Sequence, residues 1–322
     1  MKAKIDSYDK KIMYELDFNS RIPISALARK VRLPKETVNY RIKRLEAAGT
    51  LRYFHALINA SHLGYLYYRV GFKFRSMTAK METEIVEFLA EEKSCANIRI
   101  GEGRYDVVFL AIHKTAGTLK EFLERFGQLF GDELVHKDIH KIVNSYKMSR
   151  RMFFEGQRVK ITLPHSEQKD YPIDRVDQGI LRAFAHTARI HLVELADRLH
   201  ADPKVIRYHI DRLEERKVIA GYTMSVDYLQ FEAERVELHL SLKHHGLVNQ
   251  IIDFFDEMRT CTYAYELIGT DDLSLELYVE DDEQLRLILR RFRERFADNY
   301  LSYGLTRIYE EHLSNWSPLE AE

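Results

Sequence analysis

Within Leu33–Gly49, LPKETVNYRIKRLEAAG, the apolar residues Val38, Ile42 and Leu45 recur at helical spacing and mark one narrow buried stripe. Pro34 suits a helix start, where its missing N–H goes unused, and Gly49 suits the position just past the end. The opposite face carries Thr37, Tyr40, Lys43, Arg44 and Ala47, with Asn39 on its flank. One apolar stripe opposite a basic, hydrogen-bonding face lets a helix rest on a domain while lying in a DNA major groove. Upstream, Asp6 and Ser7 cap a helix containing Ile12 and Leu16, Arg21-Ile22-Pro23 connects, and Ser25–Val31 forms a short helix closed by the turn Arg32-Leu33-Pro34. Leu51–Ile58 is extended and aromatic, the expected wing. Three helices, a short turn and a wing predict a winged helix-turn-helix.

The rhythm then changes. Leu66–Phe74 alternates like a strand, and Thr78–Glu92 is helical, with Met81, Ile85, Phe88 and Leu89 on one face. Asn97–Ile100 and Tyr105–Ile112 flank the turn Gly101-Glu102-Gly103-Arg104. Leu119–Phe130 is helical and Leu134–Tyr146 returns to strand. The order βαββαβ predicts a ferredoxin-like domain, an antiparallel sheet with both helices on one face. Its other face then requires a partner.

The whole arrangement occurs twice. IDSYDKKI at Ile5–Ile12 returns as IDRVDQGI at Ile173–Ile180, an offset of 168 residues. The helix segment Tyr40–Glu46 returns as Tyr208–Glu214, and Ile100-Gly101 maps to Ile268-Gly269 at that offset. Near residue 115 the offset falls to 166, pairing Leu119–Asp132 with Leu285–Asp298. The fold class is therefore α+β, in six segments. These are a winged helix-turn-helix (1–60), a ferredoxin-like domain (61–150), a linker (151–171), a second winged helix-turn-helix (172–228), a second ferredoxin-like domain (229–314) and a tail (315–322). A second copy supplies the partner for the open sheet face, so an intrachain pseudo-dimer is expected, with homo-oligomers of it allowed.

Charge divides along the same line. The net charge of −1 conceals 31 Lys/Arg against 21 Asp/Glu in residues 1–170, and 18 against 29 thereafter. A basic front half suits nucleic acid. In the chain of 322 residues no apolar run approaches a membrane span, and MKAKIDSYDKKI has no apolar core of a signal peptide. Two distant cysteines, Cys95 and Cys261, fit free thiols in a reducing cytoplasm.

IDSYDKKIMYEL, then ISALARKVRLPKETVNYRIKRLEAAGTLRYFHALIN, then GEGRYDVVF resemble the Lrp/AsnC family of prokaryotic transcriptional regulators, and both halves carry the likeness. The resemblance implies a winged helix that binds double-stranded DNA and a ferredoxin-like domain that dimerises. It also implies a small-molecule effector, such as an amino acid, bound near the glycine hairpin. The implied DNA-contacting residues are Lys35, Thr37, Asn39, Tyr40, Lys43, Arg44 and Arg52 in the first copy, and Lys204, Arg207, Tyr208 and Arg212 in the second. The implied effector residues are Gly101, Glu102, Gly103, Arg104, Tyr105 and Asp106, where the second copy reads Gly269-Thr270-Asp271-Asp272-Leu273-Ser274.

Other chemistry is weaker. Gly101-x-Gly103 has no following helix, so it is a hairpin rather than a dinucleotide loop. His136, Asp138 and His140 share a strand face and read as a solvated or interface face rather than a metal site. No nucleophile motif such as GxSxG stands out, so neither catalytic residues nor a cofactor are expected, and the chain reads as a non-enzyme. The alternative is a siroheme-decarboxylase-like tetrapyrrole enzyme on the same tandem plan, which implies a histidine and arginine cluster in the strand before the hairpin. Here Ser94–Arg99 offers an arginine and no histidine, and its counterpart is Thr260–Tyr265.

Overall fold

The computed structural model describes residues 5–151, 156–312 and 319, so the expected tail lies outside the described residues apart from residue 319. The first copy gives α1 (Ser7–Phe18), α2 (Ile24–Val31), α3 (Lys35–Ala47), β1 (Leu51–Ile58), β2 (Leu66–Phe74), α4 (Ala79–Glu91), β3 (Cys95–Gly103), β4 (Val107–His113), α5 (Ala116–Phe130) and β5 (Leu134–Met148). After β6 (Lys160–Pro164) the second copy gives α6 (Arg175–Phe184), α7 (Leu192–Leu199), α8 (Pro203–Glu215), β7 (Ile219–Val226), β8 (Glu234–Leu242), α9 (Val248–Glu257), β9 (Cys261–Ile268), β10 (Leu273–Val279), α10 (Asp282–Phe296) and β11 (Tyr300–His312). Each copy is a winged helix-turn-helix followed by βαββαβ.

The compact units do not follow the copies. One unit gathers Met1–Asn59, Met148–Lys160 and Pro172–Ala233, hence both winged helices. In it α1 and α6 each begin with a reciprocal capping box, Asp6 with Asp9 and Asp174 with Asp177. The expected wing is not a free loop: β1 pairs antiparallel with β7, with Phe54 opposite Met224. A strand cannot leave its ladder groups bare, and the twin copy satisfies them. Two matching clasps flank this ribbon. Arg21 donates to the Ala188 carbonyl at 2.6 Å and stacks over Phe184 at 4.5 Å, while Arg189 donates to the Ser20 carbonyl and lies over Phe54 at 5.3 Å.

The other unit comprises Ala60–Lys147, Ile161–Tyr171 and Glu234–Glu322, hence both ferredoxin-like domains. Hydrogen bonding runs round a closed circuit of eight antiparallel strands, β2-β4-β3-β11-β8-β10-β9-β5 and back to β2. Closure depends on two long strands. The first part of β5 pairs with β2 and its second part with β9, while β11 pairs with β8 and then with β3. Alternation along β2 sends Tyr68, Val70, Phe72 and Phe74 into an aromatic core with Ile85, Leu89, Phe122 and Phe126 of the covering helices. The other face carries Tyr67 and Arg69 towards the second copy. Part of the expected linker is structured: β6 lies within 151–171, and the His165 N–H bonds the Val143 carbonyl at 2.7 Å.

The ladders also correct the repeat register. Ile308 faces Gly101 and Ile142 faces Leu267, so Gly101 corresponds to Leu267 and the offset is already 166 in β3. The two missing residues lie earlier, between β8 and β9. The counterpart of Asp106 is therefore Asp272, and the two do the same work. Their N–H groups bond the carbonyls of Phe72 and Leu240, and their carboxylates accept from the N–H groups of Phe74 and Leu242.

Candidate nucleic-acid interface

Helix α3 buries Val38, Ile42 and Leu45 against its own domain, leaving a polar face outward. On that face Lys35, Asn39, Lys43 and Tyr40 (67% accessible) are exposed, and Thr37 is half-buried. In α8, Ile206, Ile210 and Leu213 form the buried stripe, while Lys204, Arg207 and Tyr208 are exposed. These seven side chains, Thr37 apart, lie exposed on the faces opposite the buried stripes.

Arg44 and Arg212 are placed differently from the rest. Arg44 and Arg41 both bind the fully buried Asp9, Arg41 at 2.8 Å, and Arg212 binds the equally buried Asp177. Each arginine ties its recognition helix to the first helix of its copy. His209 stands where Arg41 stands in the first copy, its Nδ1 2.8 Å from Asp177. Asp174, Asp177 and His209 lie close enough to resemble a cation site, but Arg212 already occupies Asp177, as Arg44 occupies Asp9. The cluster is a helix clamp. Arg52 is exposed and pairs with Asp227 at 3.1 Å.

The hairpin residues Gly101, Glu102, Gly103, Arg104, Tyr105 and Asp106 are engaged inside the barrel unit. Gly101 and Gly103 lie so close to β11 that a Cβ on either would approach the carbonyls of Arg307 and Leu305 to 2.1 and 2.3 Å. Glu102 accepts from Tyr309 at 2.6 Å, and Arg104 pairs with Asp271 of the second copy at 2.9 Å. Tyr105 donates to Asp138, which also accepts from Thr270 at 3.0 Å and contacts His136 at 2.8 Å. Burial pushes the Asp138 carboxyl up, yet the Tyr105, His136 and Thr270 hydrogen bonds outweigh it and hold it at about 2. Burial raises Asp271, with Arg104 and His140 opposing. The expected interface on the His136–His140 strand face is thus the contact with the second hairpin.

A family model described as winged helix-turn-helix DNA-binding matches residues 5–52 and 173–220, the two trihelical units. HTH-type transcriptional regulator FL11 of Pyrococcus furiosus is 28% identical over 136 residues, 42% of this chain and 89% of that protein. An uncharacterized HTH-type transcriptional regulator of the same organism is 29% identical over 147 residues, 45% of this chain and 98% of that protein. Each alignment has the length of one copy. The chain carries two units of this winged helix-turn-helix type in tandem. The full tandem fold recurs in the siroheme decarboxylase NirDL, with a TM-score of 0.64 at 13% identity over 98% of this chain and 96% of that one.

Proposed function

We propose that this Lrp/AsnC-like chain is a DNA-binding transcriptional regulator, working in the cytoplasm, that reads duplex DNA through α3 and α8. The observation that carries the reading is the outward face of α3. Lys35, Asn39, Tyr40 and Lys43 are exposed together on a helix whose opposite stripe is fully packed. Lysines there neutralise phosphates, and Asn39 suits a bidentate contact to adenine. The hairpin side chains are consumed by contacts within the fold, so no effector site is proposed on them.

The whole-chain fold shared with a siroheme decarboxylase motivates a second reading, a tetrapyrrole enzyme. Against it stands Arg99, the arginine of the strand before the hairpin. Its guanidinium is 1% accessible and already held by Glu237 and Glu276. A tetrapyrrole carboxylate would have to displace two buried carboxylates to reach it. One preparation decides between them. A regulator shifts genomic duplex fragments at low salt, with footprints that survive competitor DNA. Failure to shift any fragment, together with siroheme turnover or a Soret-type absorbance on adding siroheme, would overturn the regulator reading.

A further inference from the structure

Inside the eight-strand circuit lies a buried ionic cluster drawn from both copies. Arg69 of β2 and Arg99 of β3 both donate to Glu237 of β8. Arg99 also reaches Glu276 of β10 at 2.5 Å. Arg235 of β8 pairs with Glu276 and with Glu311 of β11, each at 2.9 Å. Arg69, Arg99, Glu237 and Glu276 are at most 2% accessible. Burial pushes the Glu237 carboxyl up, but the Arg69 and Arg99 guanidiniums reverse this and keep it ionised.

The corrected register shows what each member faces by pseudo-symmetry. Phe72 faces Val107 and Leu240 faces Leu273, so β2 maps to β8 at an offset of 168 and β4 to β10 at 166. Arg69 therefore corresponds to Glu237 itself, Arg99 to Tyr265, Leu110 to Glu276, Tyr67 to Arg235, and Ser145 to Glu311. The chain as it stands closes three arginines on three glutamates. Two first copies paired with each other would bury four arginines with no carboxylate at these positions. Two second copies would bury six glutamates with two arginines. Buried charge without a partner is strongly destabilising, whereas a fully paired cluster is tolerated.

We infer that this cluster is a partner code: the sheet face of each copy accepts the complementary copy and rejects its own kind. The surface recognises an opposite charge pattern on an otherwise similar fold, through attraction in the right pair and repulsion in the wrong ones. A symmetric homodimer interface thereby becomes a directional one, satisfied within one chain.

Thermal unfolding of the full chain and three variants tests this. Glu237→Gln removes the attraction, and Glu237→Arg makes the second copy resemble the first. Glu237→Arg should lie at least 5 °C below Glu237→Gln in Tm. The exchange Arg69→Glu with Glu237→Arg should recover at least half of the loss. Assembly gives the second readout. Co-expressed, differently tagged Arg69→Glu and Glu237→Arg chains each carry like charges at positions 69 and 237, so they should pair between chains and co-purify at twice the 38.1 kDa chain mass. Should Glu237→Arg alone yield no soluble protein, a folded exchange variant supports the code and an equally insoluble one overturns it. Equal Tm values for Glu237→Arg and Glu237→Gln, or a co-expressed pair with no two-chain species, also overturn it.

Discussion

Lys43 and Arg44 are neighbours on one helix face, and their fates differ because of a residue far away in sequence. A helical wheel places both outward, but Asp9 on α1 draws Arg44 into a buried ion pair and leaves Lys43 exposed. Lys43→Ala should therefore weaken DNA binding and flatten the slope of log affinity against log salt by about one unit, with Tm unchanged. Arg44→Ala should instead cost about 2 kcal/mol of stability, the usual scale for losing a charge-assisted hydrogen bond to a buried acid. A Tm loss for Lys43→Ala as large as for Arg44→Ala would reverse the assignment. The apolar stripe was legible in the sequence because it needs only local periodicity. The clamp was not, because its acid comes from another helix. Three histidines add a titration at the same scale. Burial holds His113 at about 4, assisted by Arg125, and His165 at about 3, assisted by His62. It holds His239 at about 3 despite the nearby Glu237. The unfolded chain protonates these groups near the ordinary value of about 6.5. Their contribution is therefore complete above that pH and is lost as pH falls through 6.5 towards 3–4, these three rings together taking up about three protons on unfolding. Denaturant titrations between pH 7 and 5 should show falling stability, and His165→Gln should remove close to one proton from the slope. A flat profile in that window would contradict the burial of these rings.

Period alone decides some elements of this chain, and pairing decides the others. Both βαββαβ orders follow from alternation and helical spacing, and the structure has both. The extended, aromatic run Leu51–Ile58 predicts a wing but not what it pairs with. The structure joins β1 to β7, a contact no single copy's sequence announces, since the two strands are 168 residues apart. The repeat offset slipped for a related reason. Matching Ile100-Gly101 to Ile268-Gly269 rests on two residue identities, whereas the ladder fixes Gly101 to Leu267 through several hydrogen-bonded partners. That shift makes Asp272 of the second hairpin the counterpart of Asp106 in the first. The ribbon and its clasps carry a prediction at this scale. Arg21 and Arg189 each donate to a carbonyl of the other copy, so each half of the clasp is worth about 1–3 kcal/mol. Arg21→Ala with Arg189→Ala should lower the Tm of the full chain and make the segment around β1 and β7 exchange amide hydrogens faster, while β2 and β8 keep their protection. Unchanged exchange in β1 and β7 would show that the strand ladder alone holds the pair.

Across the whole molecule the two copies are alike in fold and unlike in charge, and the outward faces of α3 and α8 differ in the same direction. Residues 1–56 hold 13 Lys/Arg against 6 Asp/Glu, and residues 171–224 hold 9 against 8. At corresponding positions Lys35 becomes Pro203, Lys43 becomes Asp211 and Ala47 becomes Glu215, while Tyr40 persists as Tyr208. Lys204 in place of Glu36 and Arg207 in place of Asn39 return part of the positive charge, shifted towards the start of the helix. A carboxylate facing phosphates is repelled, and phosphate neutralisation supplies most of the non-specific affinity. On the proposed function the paired winged helices should therefore form an unequal couple, with α3 dominant and α8 weak or selecting a different half-site. An operator for such a couple has no reason to be palindromic, because palindromy mirrors identical reading heads. Selection of bound sequences from a random duplex pool should return two unlike half-sites in fixed order. Lys35→Ala with Lys43→Ala should reduce affinity at least tenfold and flatten the salt slope by about two units. Lys204→Ala with Arg207→Ala should do clearly less and should relax the sequence preference at one half-site only. Equal losses from the two double substitutions, or a palindromic consensus, would show that the charge difference between the copies does not reach the DNA.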